Sequence, residues 1–168
     1  MEITSDIHLK GTAWNKAVEN LSDIFTTRTH YSLFMLCLAI GIMYDQRIEE
    51  PIENGEDVKS VPRNVILNND NGKIDFYFQA AILSTMTETF SEEERLELAF
   101  GESTRFNKLA FLVSYANFGV EKLVDLIGRT PLESMENIKD FMVSTVEGRN
   151  FEIDALPIED ILDFDDIE

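Results

Sequence analysis

The stretch His30–Tyr44, HYSLFMLCLAIGIMY, is apolar on nearly every side of a helix. A helix with a single apolar stripe lies on a surface, whereas one with almost no polar face must be enclosed by other elements. Its length gives about four turns at ~3.6 residues per turn. That is too short to cross a membrane, which takes about 20 apolar residues. The rest of a 168-residue chain is therefore expected to wrap this helix. A chain of that size can bury a core without disulfides or metal.

The flanking sequence supplies further helices. Thr12 is a candidate cap for a helix running to Phe25, with Trp14, Val18, Leu21 and Phe25 on one face and Asn15, Lys16, Glu19, Asn20 and Asp23 on the other. Thr26–Thr29 is a polar connector. Lys73–Phe90 has helical apolar spacing through Ile74, Phe78, Ala81 and Ile82. Ser91 followed three residues later by Glu94 matches a capping box and opens a helix that Gly101 can end. Ser103 or Thr104 can cap a helix from Arg105 to Phe118, with Gly119 at its C-terminus and a further apolar turn or two to Ile127. The pair Thr130-Pro131 predicts a last helix closed by Gly148. Only the N-terminus and Arg63–Leu67 have the character of strands, and the latter could equally be a docking segment. The expected class is all-α, a compact bundle of about six or seven helices in a single domain over residues 1–150.

Two segments depart from this pattern. Gln46–Pro62 is a long charged loop containing Glu49, Glu50, Glu53, Glu56 and Asp57. Residues 151–168 form a tail with eight acidic side chains and no Lys or Arg. The tail also carries large apolar residues, so Ile158, Glu159, Asp160, Ile161, Leu162, Asp163 and Phe164 could form an amphipathic turn or two, docked on a partner or packed on the domain. The whole chain has a formal charge of −18. Such an excess opposes direct binding to nucleic acid, where phosphates favour Lys and Arg, and suits a solubilised cytosolic protein, a partner for a basic surface or a mimic of nucleic acid.

Groups for catalysis are sparse. His8 and His30 are the two histidines, and neither lies in a metal-ligand pattern such as Glu-x-x-His. Cys37, the single cysteine, lies within the apolar stretch and has the surroundings of a small buried hydrophobe. A lack of disulfides and of an apolar N-terminal leader fits a cytoplasmic setting. The run Glu92-Glu93-Glu94 with Glu97 fits a solvated helix start favoured by the helix dipole. Neither a phosphate-binding glycine loop nor a nucleophile elbow is present in the sequence. The expectation is a protein without catalytic, cofactor or metal residues.

The segment Phe34-Met-Leu-Cys-Leu-Ala-Ile-Gly-Ile-Met-Tyr-Asp-Gln-Arg-Ile-Glu-Glu-Pro51 resembles the apolar helix and charged-proline exit of small proteins associated with bacterial Dnd DNA-phosphorothioation systems. Tyr115-Ala-Asn-Phe-Gly-Val-Glu-Lys-Leu-Val-Asp-Leu-Ile127 is similar to the Tyr-Ala-Asn corner of that family. The similarity spans Phe25 to Ile127, while the 46–62 loop is long and the last helix and tail have no counterpart. The resemblance implies an accessory protein of an anti-phage or DNA-modification-linked defence system, working beside an ATPase or nuclease, and it implies no catalytic residues. Two functions follow as expectations. The first is a non-enzymatic subunit docking through the 49–57 loop and the tail onto a larger, basic-surfaced partner. The alternative is an acidic nucleic-acid mimic that inhibits such a partner, and a carboxylate metal enzyme ranks last. Self-association is left open.

Overall fold

A computed structural model of the chain describes residues 3–25, 29–53, 58–86, 89–101 and 106–154. The chain divides into two units, residues 1–127 and 128–168.

In the first unit, strand β1 (Ile7–Leu9) pairs antiparallel with β2 (Lys59–Val61), Ile7 opposite Val61 and Leu9 opposite Lys59. Ile7 and Leu9 are buried and His8 is exposed, the alternation expected of a strand with one wet face. Helix α1 (Thr12–Asn20) begins after Gly11, whose φ of 107° suits glycine. Thr12 is the first helical residue and not the cap; its backbone N–H donates to Ile52 O at 3.0 Å. The predicted single helix breaks after Asn20, and α2 (Ser22–Phe25) is a separate short turn. Trp14, Ala17 and Leu21 are buried, and Asn15, expected on the wet side, is buried as well.

Helix α3 (Thr29–Tyr44) is the apolar stretch, with Leu33, Phe34, Cys37, Leu38 and Ile40 all at most 2% exposed. It ends in a Schellman arrangement. The Gln46 N–H reaches Gly41 O at 3.2 Å and the Asp45 N–H reaches Ile42 O at 3.0 Å. The left-handed residue is Asp45, with φ 49°, where glycine is usual. Asp tolerates that conformation better than most residues, and here its carboxylate is used: Oδ2 accepts the Met86 N–H at 2.6 Å.

Arg63–Leu67 is helical, not a strand; α4 spans Arg63–Asn69 after extended Pro62. Only Ile66 of this helix is buried, and so short an apolar run does not distinguish strand from helix. Asp70 then organises the next start, accepting from the Ile74 N–H (2.9 Å), the Gly72 N–H (3.0 Å) and the Tyr31 hydroxyl (2.9 Å). Burial and this carboxylate hold the Tyr31 hydroxyl well above its ordinary pKa. Helix α5 (Lys73–Ser84) stops six residues before the expected Phe90. Its C-terminal carbonyls are taken by a distant side chain: Arg95 Nη1 donates to Ile82 O and Thr85 O, each at 2.6 Å.

Helix α6 (Glu92–Phe100) has the predicted capping box, with Glu94 N–H donating to Ser91 Oγ at 3.2 Å and Ser91 N–H to Glu94 Oε2 at 2.8 Å. These bonds hold the Glu94 carboxyl below its ordinary pKa. A depressed carboxyl stabilises the fold above the ordinary glutamate range, and that contribution is lost as pH falls through the folded value. Ser91→Ala is expected to cost about 1 kcal/mol at neutral pH. The destabilisation caused by Glu94→Gln should shrink as pH falls from neutral through the ordinary glutamate range and below it. Urea titrations of both variants check this, and a Glu94→Gln effect independent of pH would contradict it.

Helix α7 (Lys108–Val124) is capped by Asn107, whose Oδ1 accepts the Ala110 N–H at 3.0 Å, and not by Ser103 or Thr104, which lie outside the described residues. It runs unbroken through Gly119, so the expected corner there is absent. The second unit contains α8 (Pro131–Asp154), with Thr130 Oγ1 accepting the Glu133 N–H at 3.2 Å as expected of its cap. The helix continues past Gly148. The class is therefore mainly helical, with eight helices and one two-stranded sheet among the described residues.

Candidate functional site

Two surface regions of the first unit combine shape with chemistry. One forms where α3 exits and passes α7. Gly41 and Gly119 let the two helices touch backbone to backbone: a Cβ at Gly41 would overlap the Tyr115 carbonyl, and one at Gly119 the Cys37 carbonyl. Each glycine meets the residue four before the other, as an antiparallel crossing requires. This contact brings the 45–48 segment onto α7. The Ile48 N–H donates to Ser114 O at 2.9 Å, and Asn117 Nδ2 donates to Ile48 O at 3.0 Å. Asn117 Oδ1 in turn accepts the buried Trp14 Nε1–H at 2.9 Å. The Tyr115 hydroxyl donates to Thr85 Oγ1 at 2.9 Å, with Asp45 Oδ1 at 3.3 Å.

Beside this spine lies a cavity of about 420 Å³ whose walls include Arg47, Glu49, Asn107, Phe111, Ser114 and Asn117. The Arg47 guanidinium packs over the Phe111 and Tyr115 rings, 5.1 and 5.7 Å from their centres. Such stacking suits a weakly hydrated planar cation. Its Nη2 is 3.8 Å from Glu49 Oε1, and the Glu49 side chain is 76% exposed. The amide of Asn117 and the hydroxyl of Ser114, which donates to Phe111 O at 2.7 Å, are engaged in holding the chain. These bonds hold the α3 exit against α7.

The second region is a groove of about 390 Å³ along α6, lined by Phe90, Leu98 and Phe106 and walled by Glu93, Glu94 and Glu97. Its floor is anchored in the core. The Phe106 ring lies 6.0 Å from Phe78, 5.9 Å from Phe90 and 5.3 Å from Phe111, and Phe78 is fully buried. Leu96 and Phe100, also on α6, are 47% and 65% exposed. Arg95, the basic residue of this helix, is turned against the end of α5 and donates to Phe90 O at 3.3 Å through Nε.

Of the residues expected to form a contact surface, Glu49, Glu50 and Glu53 are exposed along the segment after α3. Glu56 and Asp57 lie outside the described residues, as do Ile158, Glu159, Asp160, Ile161, Leu162, Asp163 and Phe164. The α6 groove was missed because its acids have the spacing of a solvated helix start. The available signal was apolar Leu96, Leu98 and Phe100 among them on so short a helix.

His30 and Cys37 lie away from these regions. His30 Nδ1 is 2.8 Å from Ser60 O, a carbonyl that can only accept, so this nitrogen carries the proton. Burial pushes the Cys37 thiol well up, away from the reactive thiolate. Among the described residues, no group of three or more His, Cys, Asp or Glu is placed to hold a metal ion. No helix of the described residues is long and apolar enough to cross a membrane. Compared with known proteins, the chain matches no family model, no curated protein and no solved structure.

Proposed function

We propose that the protein is a non-enzymatic interaction subunit that docks onto a larger, basic-surfaced partner, in keeping with the sequence resemblance to accessory proteins of DNA-modification-linked defence. The observation that carries this reading is the pairing of exposed acid with exposed large apolar side chains on one short helix, α6, where Glu93 and Glu97 stand beside Leu96 and Phe100. Isolated exposed apolar residues are ordinary, but on the same helix the groove of Phe90, Leu98 and Phe106, rimmed by Glu93, Glu94 and Glu97, has the composition of a recognition surface. The exposed Glu49, Glu50 and Glu53 extend the negative surface. Acidic rims act mainly on association rate and partner choice, while apolar anchors carry affinity.

The test uses the full chain and the purified products of its neighbouring genes, any ATPase or nuclease among them first. Co-elution at low salt that weakens as salt rises is the expected result, with further weakening when residues 151–168 are removed. A lack of complex with every such neighbour at low salt overturns the accessory reading. Displacement of the partner's DNA from a shared face replaces it with the nucleic-acid-mimic reading.

A further inference from the structure

We infer that the α6 groove receives a short amphipathic helix of a basic partner, with a large apolar side chain seated on Phe90, Leu98 and Phe106 and Lys or Arg facing Glu93 and Glu97. This inference rests on the docking reading and specifies its contact surface and the partner's chemistry. Three features support it.

The first is geometry. Ala99 marks the side of α6 that meets α5, since Gln79 Nε2 donates to Ala99 O at 3.3 Å. Leu98 is about a quarter-turn from Ala99 at ~100° per residue, and it opens toward Phe90 and Phe106. Glu93 and Glu97 are four residues apart, so they follow one ridge of the helix at a spacing of about 6 Å. A partner helix with two basic residues four apart presents charges at the same interval.

The second is preorganisation. The capping box fixes the Glu94 carboxylate, and the aromatic cluster through Phe106 and Phe78 fixes the groove floor. A wall that is already ordered loses less entropy when a partner binds.

The third is charge. Among the described residues, the groove has three glutamates on its wall and no basic residue in its lining. The chain's own tail has eight acids and no base, so seating it there would bring like charges together. A second copy would bring another −18 against the same rim. Opposite charge is left as the matching occupant.

Fluorescence anisotropy tests this with the full chain and a labelled synthetic helix of about four turns. The probe has Leu on one face and Lys on both flanks. Saturable binding is expected. It should weaken about tenfold or more when Glu93 and Glu97 are both changed to Lys, and also when salt rises several-fold. Leu98→Ala should weaken binding at every salt concentration. The probe with Glu in place of Lys should not bind, and Glu49→Lys with Glu50→Lys should change affinity less than the α6 pair. Circular dichroism establishes that each variant is folded.

Unchanged binding by the Glu93→Lys/Glu97→Lys variant overturns the inference. So does equal binding of a Lys probe whose leucines are replaced by serine, because that is general electrostatics. Loss of binding on removing residues 155–168 would assign the probe to the tail instead. Failure here leaves docking through the 49–53 segment or the tail intact. Conversely, probe binding without any complex with neighbouring gene products would retain the groove and reject the accessory reading.

Discussion

Gly119→Ala is expected to lower the unfolding free energy by about 3 kcal/mol or more, at the upper end for adding one methyl group. The methyl would meet the Cys37 carbonyl of α3. A main-chain carbonyl inside a helix cannot rotate away, so α3 and α7 would have to separate. Separation exposes Phe34, Leu38, Leu112 and Ala116, all fully buried now. A domain stable by about 5–15 kcal/mol would lose a large share of that. Gly41→Ala should behave similarly through the Tyr115 carbonyl. The two effects should not add, because both variants open one contact. Gly72→Ala is the control: φ is 82° with nothing near the added methyl, so only about 1–2 kcal/mol of backbone strain is expected. Urea denaturation measures all three. A Gly119→Ala effect no larger than that of Gly72→Ala would rule out the close helix approach.

Asn117→Leu should cost about 2–5 kcal/mol, because it leaves one buried and one part-buried group without their partner at once. The Trp14 indole N–H, fully buried, loses its acceptor, and the Ile48 carbonyl loses the Asn117 amide. Leucine matches asparagine in length but offers neither donor nor acceptor, so packing is roughly preserved and the polar loss dominates. Trp14 is the chain's single tryptophan, so its fluorescence reports this site directly. Trp14→Phe in the Asn117→Leu background should recover part of the loss by removing the stranded donor, the signature of coupling in a double-mutant cycle. Equal stability of Asn117→Leu and the parent protein would show that the bridge contributes nothing.

These two positions show where reading from sequence stops. Gly119 and Asn117 have the residue types of a helix end, and local preference places a corner there. In the fold both lie inside one continuous helix, glycine for close approach and asparagine for a bridge of |i−j| = 103 to Trp14. Neither use leaves a local trace. The end of α5 has the same character: no glycine or proline follows Ser84 until Gly101, and Arg95 supplies the stop from another helix. The candidate site was half legible. Its charge and the exposure of Glu49, Glu50 and Glu53 could be read from composition. The groove could not, since Phe90, Leu98 and Phe106 come together only through tertiary packing of the aromatic cluster.

The sequence by itself determined the helical class, the enclosed α3, the Ser91–Glu94 capping box and the Thr130 cap. All of these follow from interactions within a few residues or from an apolar pattern that admits one environment. Tertiary structure alone decided that Arg63–Asn69 is a helix, that α5 stops at Ser84 and that Gly119 is a contact point. It also decided that the glutamates of α6 border an apolar groove. Each of those outcomes depends on partners farther along the chain, Asp6 for Arg63, Arg95 for α5, Cys37 for Gly119 and Phe106 for the groove. Local preferences worth a few tenths of a kcal/mol to about 1 kcal/mol per residue yield to such contacts once the core has closed.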